Sequence, residues 1–286
     1  MPYTADISRA NPACFLFLID QSGSMTGALA GQPGQRKMDQ AADAINRILD
    51  TVAQRCSQGM DIRDYFHIGI IGYNTDGTGR PTITSALQGT SPEQPFLSIS
   101  QVVDVADVEE RQVRESDGAG GLIEVTRRIP VWLHPHAEYG TPMCRALEVA
   151  GRAIGGWIGQ YPDSFPPIVI NVSDGAAGDG NPEQQAQELM NLQTNDGNIL
   201  LFNVHLSEVA AMPVQYPDDG GALPQGDEYA SQMFRMSSVL PESSRNQAQI
   251  LDLAVSENSR GYVFNADMTA LVQFLDIGTR AASNLQ

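Results

Sequence analysis

CFLFLIDQSGSM, residues Cys14 to Met25, decides the fold. Cys14 to Ile19 are apolar without interruption, as in a short strand covered on both faces within a parallel sheet. The run stops at Asp20 and passes into Gln21, Ser22, Gly23 and Ser24, so one carboxylate and two hydroxyls at alternate positions follow directly on a buried strand. In open α/β sheets the ligand crevice lies outside the carboxyl ends of the strands. These oxygens are hard donors of the kind magnesium and manganese take.

Working outward, Met38, Ala41, Ala42, Ile45, Ile48, Leu49, Val52 and Cys56 recur at spacings of three and four and predict one buried helix face, closed near Gly59. YFHIGIIGY (Tyr65 to Tyr73) predicts a second buried strand, with His67 as a core or edge residue. Periodicity then weakens. Residues of about 80–138 are expected to form an insertion carrying a third sheet strand and hairpin-like structure, with a pair of strands between Gly121 and Leu133 in which Pro130 limits them to an edge or bend. His134-Pro135-His136 has no nearby second ligand motif and is expected to be a flanking loop. Pro142 opens a helix to about Gln160, and Thr141 stands where its N-cap would.

PIVINVS (Pro167 to Ser173) predicts the next strand and delivers Asp174 into a second loop. Asn181-Pro182-Glu183 starts a helix, and NILLFNVHL (Asn198 to Leu206) predicts a strand in which His205 packs against a polar neighbour. A second insertion is expected over about 207–244, with a short helix around Tyr229 to Met236. Its Met212, Met233, Phe234 and Met236 serve either an adaptable contact surface or the core. A helix near Asn246 to Asn258, a strand Gly261 to Asn265 and an amphipathic helix from Met268 to about Ala282 complete the chain. The predicted architecture is α/β: a doubly wound, mostly parallel, Rossmann-like sheet flanked by helices. It is one domain over 13–286, preceded by an extension at 1–12.

Asp20-Gln21-Ser22-Gly23-Ser24 resembles the Asp-x-Ser-x-Ser loop of the metal-ion-dependent adhesion site of von Willebrand factor A domains. Gly140-Thr141-Pro142 resembles the threonine loop of that family, and Val172-Ser173-Asp174-Gly175 its aspartate loop, in the family's order. The resemblance implies one divalent cation, Mg2+ first and Mn2+ or Ca2+ as alternatives, held by Asp20, Ser22, Ser24, Thr141 and Asp174. It also implies an open coordination position that accepts an aspartate or glutamate from a protein partner. In related domains the last helix moves with the metal loops, which makes Met268 to Ala282 a candidate regulator. FLFLIDQSGSM, GTPMCRAL, PPIVINVSDG, LLFNVHLS and GYVFNAD are similar to bacterial cytosolic members of the family, including tellurite-resistance relatives encoded beside a PP2C-type phosphatase and a serine/threonine kinase. That kinship implies an adaptor or scaffold in a signalling, stress or defence module.

Composition narrows the function class. Seventeen basic against 34 acidic residues give a net charge of −17, which opposes nucleic-acid binding. Cys14, Cys56 and Cys144 have no metal-ligand spacing and are expected as buried free thiols. The opening MPYTADISRANPAC lacks a basic segment followed by an apolar run, and no stretch of 18 apolar residues occurs, so a cytoplasmic, soluble protein without membrane contact is expected. Enzymatic signatures are missing. Ser22 stands where haloacid-dehalogenase phosphatases need a second aspartate, Gly23 to Gly27 is not Gly-x-Ser-x-Gly, and neither a P-loop nor Gly-x-Gly-x-x-Gly follows the first strand. A non-enzymatic binding module is expected, with a metal-dependent hydrolase of a phosphorylated substrate as the alternative.

Overall fold

In the first strand alternate side chains go to opposite layers: Phe15, Phe17 and Ile19 join one apolar cluster, Cys14, Leu16 and Leu18 the other. A strand buried on both faces needs helices on both, and the computed structural model of the chain supplies them. It describes residues 3–30, 34–59, 61–116, 121–266 and 273. In chain order the first half contains β1 (Ala13–Asp20), α1 (Lys37–Cys56), β2 (Ser57–Gln58), β3 (Asp61–Ile62), β4 (Phe66–Thr75), β5 (Pro81–Ser85), β6 (Leu97–Ser98), α2 (Ile99–Asp104), β7 (Asp107–Ser116) and β8 (Leu122–Val131). The second half contains α3 (Met143–Gln160), β9 (Ile168–Ser173), α4 (Glu183–Met190), β10 (Gln193–Thr194), β11 (Gly197–Asn198), β12 (Leu200–His205), β13 (Val214–Gln215), α5 (Glu228–Arg235), α6 (Glu242–Ile250) and β14 (Tyr262–Phe264).

The main sheet has eight strands in the order β13-β14-β12-β9-β1-β4-β5, with β6 also paired to β4. The pairings β14–β12, β12–β9, β9–β1 and β1–β4 are parallel, while β13, β5 and β6 join antiparallel. This is the predicted α/β architecture. Helix α1 covers one face through Ala41, Ala42, Ile45, Ile48, Leu49, Val52 and Cys56, the face read from the sequence, and α3 and α4 cover the other. Because β1 and β9 are neighbours in the middle of the sheet, Asp20 and Ser173 end adjacent strands and open the same edge.

Several boundaries differ from expectation. Helix α1 ends at Cys56, and Gly59 (φ +67°) instead turns the small β2–β3 hairpin. Gly121 to Leu133 holds one strand rather than two. Its partner is β7, whose DVEERQVRES is rich in charge because this hairpin stands apart from the main sheet. Its exit is fixed by Asn46 of α1, which accepts from the N–H groups of Trp132 (2.9 Å) and Leu133 (3.0 Å) and donates to Leu133 O (2.9 Å). Pro241 starts α6 earlier than predicted, and the helix stops at Ile250, with Asp252 at φ +57° beyond it. Met233, Phe234 and Met236 are buried and only Met212 is exposed, so this group belongs to the core. All three cysteines are free and buried. Among the described residues no helix is long and apolar enough to cross a membrane. The amphipathic helix expected over Met268 to Ala282 lies outside the described residues.

Candidate metal centre

Asp20 is the last residue of β1, and its side chain is buried at the sheet edge. One carboxylate oxygen accepts from Ser22 N–H (2.8 Å), which bends the chain out of the strand. The other accepts from Ser173 Oγ at the end of β9 (2.6 Å). Ser22 and Ser24 sit at the entrance of a 3-10 turn (Gly23–Thr26), with their hydroxyls 3.0 Å apart. Ser173 Oγ also accepts from Gly175 N–H (2.9 Å), so one serine links the Asp20 carboxylate to the loop that presents Asp174. Burial, followed by the negative charge of Asp174, pushes the Asp20 carboxyl up to about 6, although the bonds from Ser173 and Ser22 oppose the shift. Two carboxylates thus share one desolvated corner.

Asp174 divides its two oxygens. Oδ2 receives Lys37 Nζ at 3.1 Å, whereas Oδ1 is buried and has no hydrogen-bond partner among the described residues. Its carbonyl lies 2.9 Å from His205 Nε2; a carbonyl only accepts, so Nε2 carries the proton and Nδ1 (3.1 Å) accepts from the Tyr262 hydroxyl. Burial keeps this imidazole below its ordinary pKa, consistent with a neutral ring. His205 therefore packs against polar neighbours, as expected, and holds the aspartate loop from behind.

Thr141 reaches the site through backbone bonds. Gly23 N–H donates to Tyr139 O (2.8 Å), Glu138 N–H to Gln21 O (2.7 Å), and Gly178 N–H to Thr141 O (2.7 Å). The loop before α3 is thereby stitched to the loops after β1 and β9. The predicted N-cap role of Thr141 is a correction. Helix α3 begins at Met143 after Pro142, and Asp179 caps it from the neighbouring loop, accepting from Cys144 N–H (3.0 Å) and Arg145 N–H (2.9 Å). The Thr141 hydroxyl has no capping duty.

Asp20, Ser22, Ser24 and Asp174 are thus drawn to one sheet edge, with Thr141 in the loop bonded to theirs. Among the described residues no group of three His, Cys, Asp or Glu side chains could hold a metal, so hydroxyls must complete any donor set. The fit to a hard divalent ion rests on the orphaned Asp174 Oδ1, a buried acceptor that lacks a donor, and on two carboxylates and three hydroxyls supplied by three loops. Sequence reading missed Lys37, Ser173 and Asp179 as functional side chains. For Ser173 the signal was its place beside Asp174 at a strand end; for Lys37 and Asp179 there was none, since their partners are remote in sequence. His67 accepts from Trp157 Nε1–H (3.0 Å), and His134 lies 3.0 Å from Asp107 of the hairpin, so both have local packing roles.

Neither a protein-family model nor a curated protein matches the chain. Similar solved structures include the von Willebrand factor domain of the type V pili tip protein Mfa5 from Porphyromonas gingivalis (14% identity, TM-score 0.35, 59% of this chain and 39% of that one). Three N-terminal domains of the same Mfa5 protein also match (14% identity, TM-score 0.33, 58% and 20%), as does the PilB minor pilin from Streptococcus sanguinis (10% identity, TM-score 0.47, 97% and 63%). The chain thus spans less than two thirds of the length of each. At these TM-scores the matches carry no argument, and the site is read from its own residues.

Proposed function

We propose that this chain is a divalent-cation-dependent protein-binding module of the von Willebrand factor A type. Asp20, Ser22, Ser24, Thr141 and Asp174 would hold one Mg2+, or Mn2+ or Ca2+ in its place. One observation carries the reading: the buried Asp20 carboxyl feels the negative charge of Asp174, and Asp174 keeps one buried oxygen without a donor among the described residues. A bound divalent ion would supply the missing positive charge and a position open to a carboxylate. The chain's residues orient the oxygens, exclude water behind them through His205 and Ser173, and leave the loops after β1 and β9 and before α3 to face a partner. An acidic side chain is the natural ligand, since ion and carboxylate attract directly and the ion bridges what would otherwise be repulsion between an acidic chain and an acidic partner.

Binding is favoured over catalysis because Ser22 stands where a haloacid-dehalogenase-type phosphatase needs its second aspartate, and no nucleophile paired with a base is found among the residues of the site. A hydrolase of phosphorylated substrates stands as the alternative. An adaptor role in a cytoplasmic bacterial signalling or stress module with a kinase or PP2C-type phosphatase is supported by sequence resemblance alone. Substituting Ser22 and Ser24 together by alanine is expected to remove Mg2+-dependent capture of a glutamate-bearing peptide array while leaving the thermal melt of the protein intact. Capture indifferent both to chelator and to the double substitution would exclude the proposed mode. Phosphate-ester turnover that the substitution eliminates would instead favour the hydrolase.

A further inference from the structure

Lys37 breaks two rules at once. It is the first residue of α1, where the helix dipole is positive and cations are disfavoured, and its side chain is only 3% exposed. Its position is nonetheless fixed. The backbone N–H donates to Gly27 O (3.0 Å), and the ammonium lies 3.1 Å from Asp174 Oδ2 and 3.1 Å from Glu208 Oε1. Glu208 is 62% exposed and screened by water, so Asp174 is the buried partner that accounts for the lysine. The ammonium and the unpartnered Oδ1 therefore share one carboxylate, and any cation on Oδ1 has a fixed positive charge on the far oxygen of the same group.

Resting on the ion-binding reading, we propose that Lys37 sets the charge of the site. It weakens divalent-ion binding to the ligand-free protein and makes the loaded site require an anionic ligand. Asp20 and Asp174 bring two negative charges and Lys37 one positive, so a divalent ion leaves the group with a single positive charge that one partner carboxylate neutralises. Without the lysine, the two aspartates would neutralise the ion unaided and the demand for an acidic partner would fall. Lys37 is thus a specificity-determining residue that acts through Asp174 and touches no ligand.

The test is calorimetric titration of Mg2+ into the wild-type chain, Lys37→Met and Lys37→Arg, each with and without excess acetate as the carboxylate probe. Removing the positive charge should tighten Mg2+ binding on the order of tenfold or more, since repulsion across one carboxylate at low dielectric is large. Lys37→Arg should stay near the wild-type affinity. Acetate should improve Mg2+ binding to the wild type more than to Lys37→Met. The metal-free Lys37→Met protein, with Asp174 stripped of its counter-charge, should melt lower and recover more on adding Mg2+; Lys37→Gln replaces it if it does not fold. A folded neutral variant that binds Mg2+ no more tightly than wild type, or an arginine variant that gains as much as methionine, overturns the role of Lys37 alone. If neither the wild type nor any variant takes up Mg2+ even with acetate, the proposed function itself fails.

Discussion

Replacing Asp20 by asparagine is expected to stabilise the metal-free protein at pH 7.5 by about 2 kcal/mol while abolishing Mg2+ binding. The Asp20 carboxyl stands at about 6 in the fold against 3.8 for an ordinary aspartate. A raised carboxyl pKa means that the native state holds a proton the unfolded chain has already released. This group therefore favours folding only at low pH, and its contribution declines as pH rises from about 3.8 through about 6. Above that the buried charge costs about 3 kcal/mol, two pKa units being worth just under that amount. Asparagine removes the charge and keeps an acceptor for Ser22 N–H, although its amide must find a new arrangement with Ser173, which accounts for the smaller net gain. Urea denaturation at pH 5 and 7.5, with chelator, measures the effect. The substitution should raise stability at the higher pH and change it little at the lower one. A destabilised Asp20→Asn at pH 7.5 would mean that Asp20 is not held against its electrostatic preference.

Asn171→Leu is expected to destabilise the fold by roughly 2–4 kcal/mol without altering the ligand oxygens. Asn171 is fully buried in β9 between β1 and β12, where Leu18, Asn171 and Asn203 lie in register. It accepts from the Tyr73 hydroxyl (2.9 Å) and donates to Asn203 Oδ1 (3.0 Å), while Asn203 donates to Ser237 Oγ (3.0 Å). Leucine fills similar space but strands two buried polar groups, and each unsatisfied group costs about 1–3 kcal/mol. Combining Asn171→Leu with Tyr73→Phe removes one stranded group, so the pair should cost less than the sum of its parts in denaturant melts. A loss below about 0.5 kcal/mol for Asn171→Leu would show that water or repacking satisfies the network.

Local signals carried much of this architecture. The runs at Cys14 to Ile19, Tyr65 to Tyr73 and Pro167 to Ser173 read as buried strands and form them, and the helical period from Met38 to Cys56 matched the face that α1 buries. The carboxylates and hydroxyls after β1 and β9 were legible because strand ends in such sheets converge. What escaped was either weakly buried or non-local. The β7 strand has no core to make it apolar, and the cap of α3 comes from Asp179, 35 residues from Cys144. Lys37 reads as an ordinary helix residue until the fold brings Asp174, 137 positions away, to its ammonium. Asn171 and Asn203 look like polar interruptions of apolar strands until their pairing across the sheet is seen.

The most direct measurement is calorimetric titration of Mg2+ into chelator-treated wild-type protein, in parallel with Asp20→Asn, with excess acetate present to occupy the ligand position. The account predicts one ion per chain for the wild type and none for the variant. Equal binding by both proteins, or no binding by either, would contradict it, since the Asp20–Asp174 pair would then be a buried strain without an ion to relieve it.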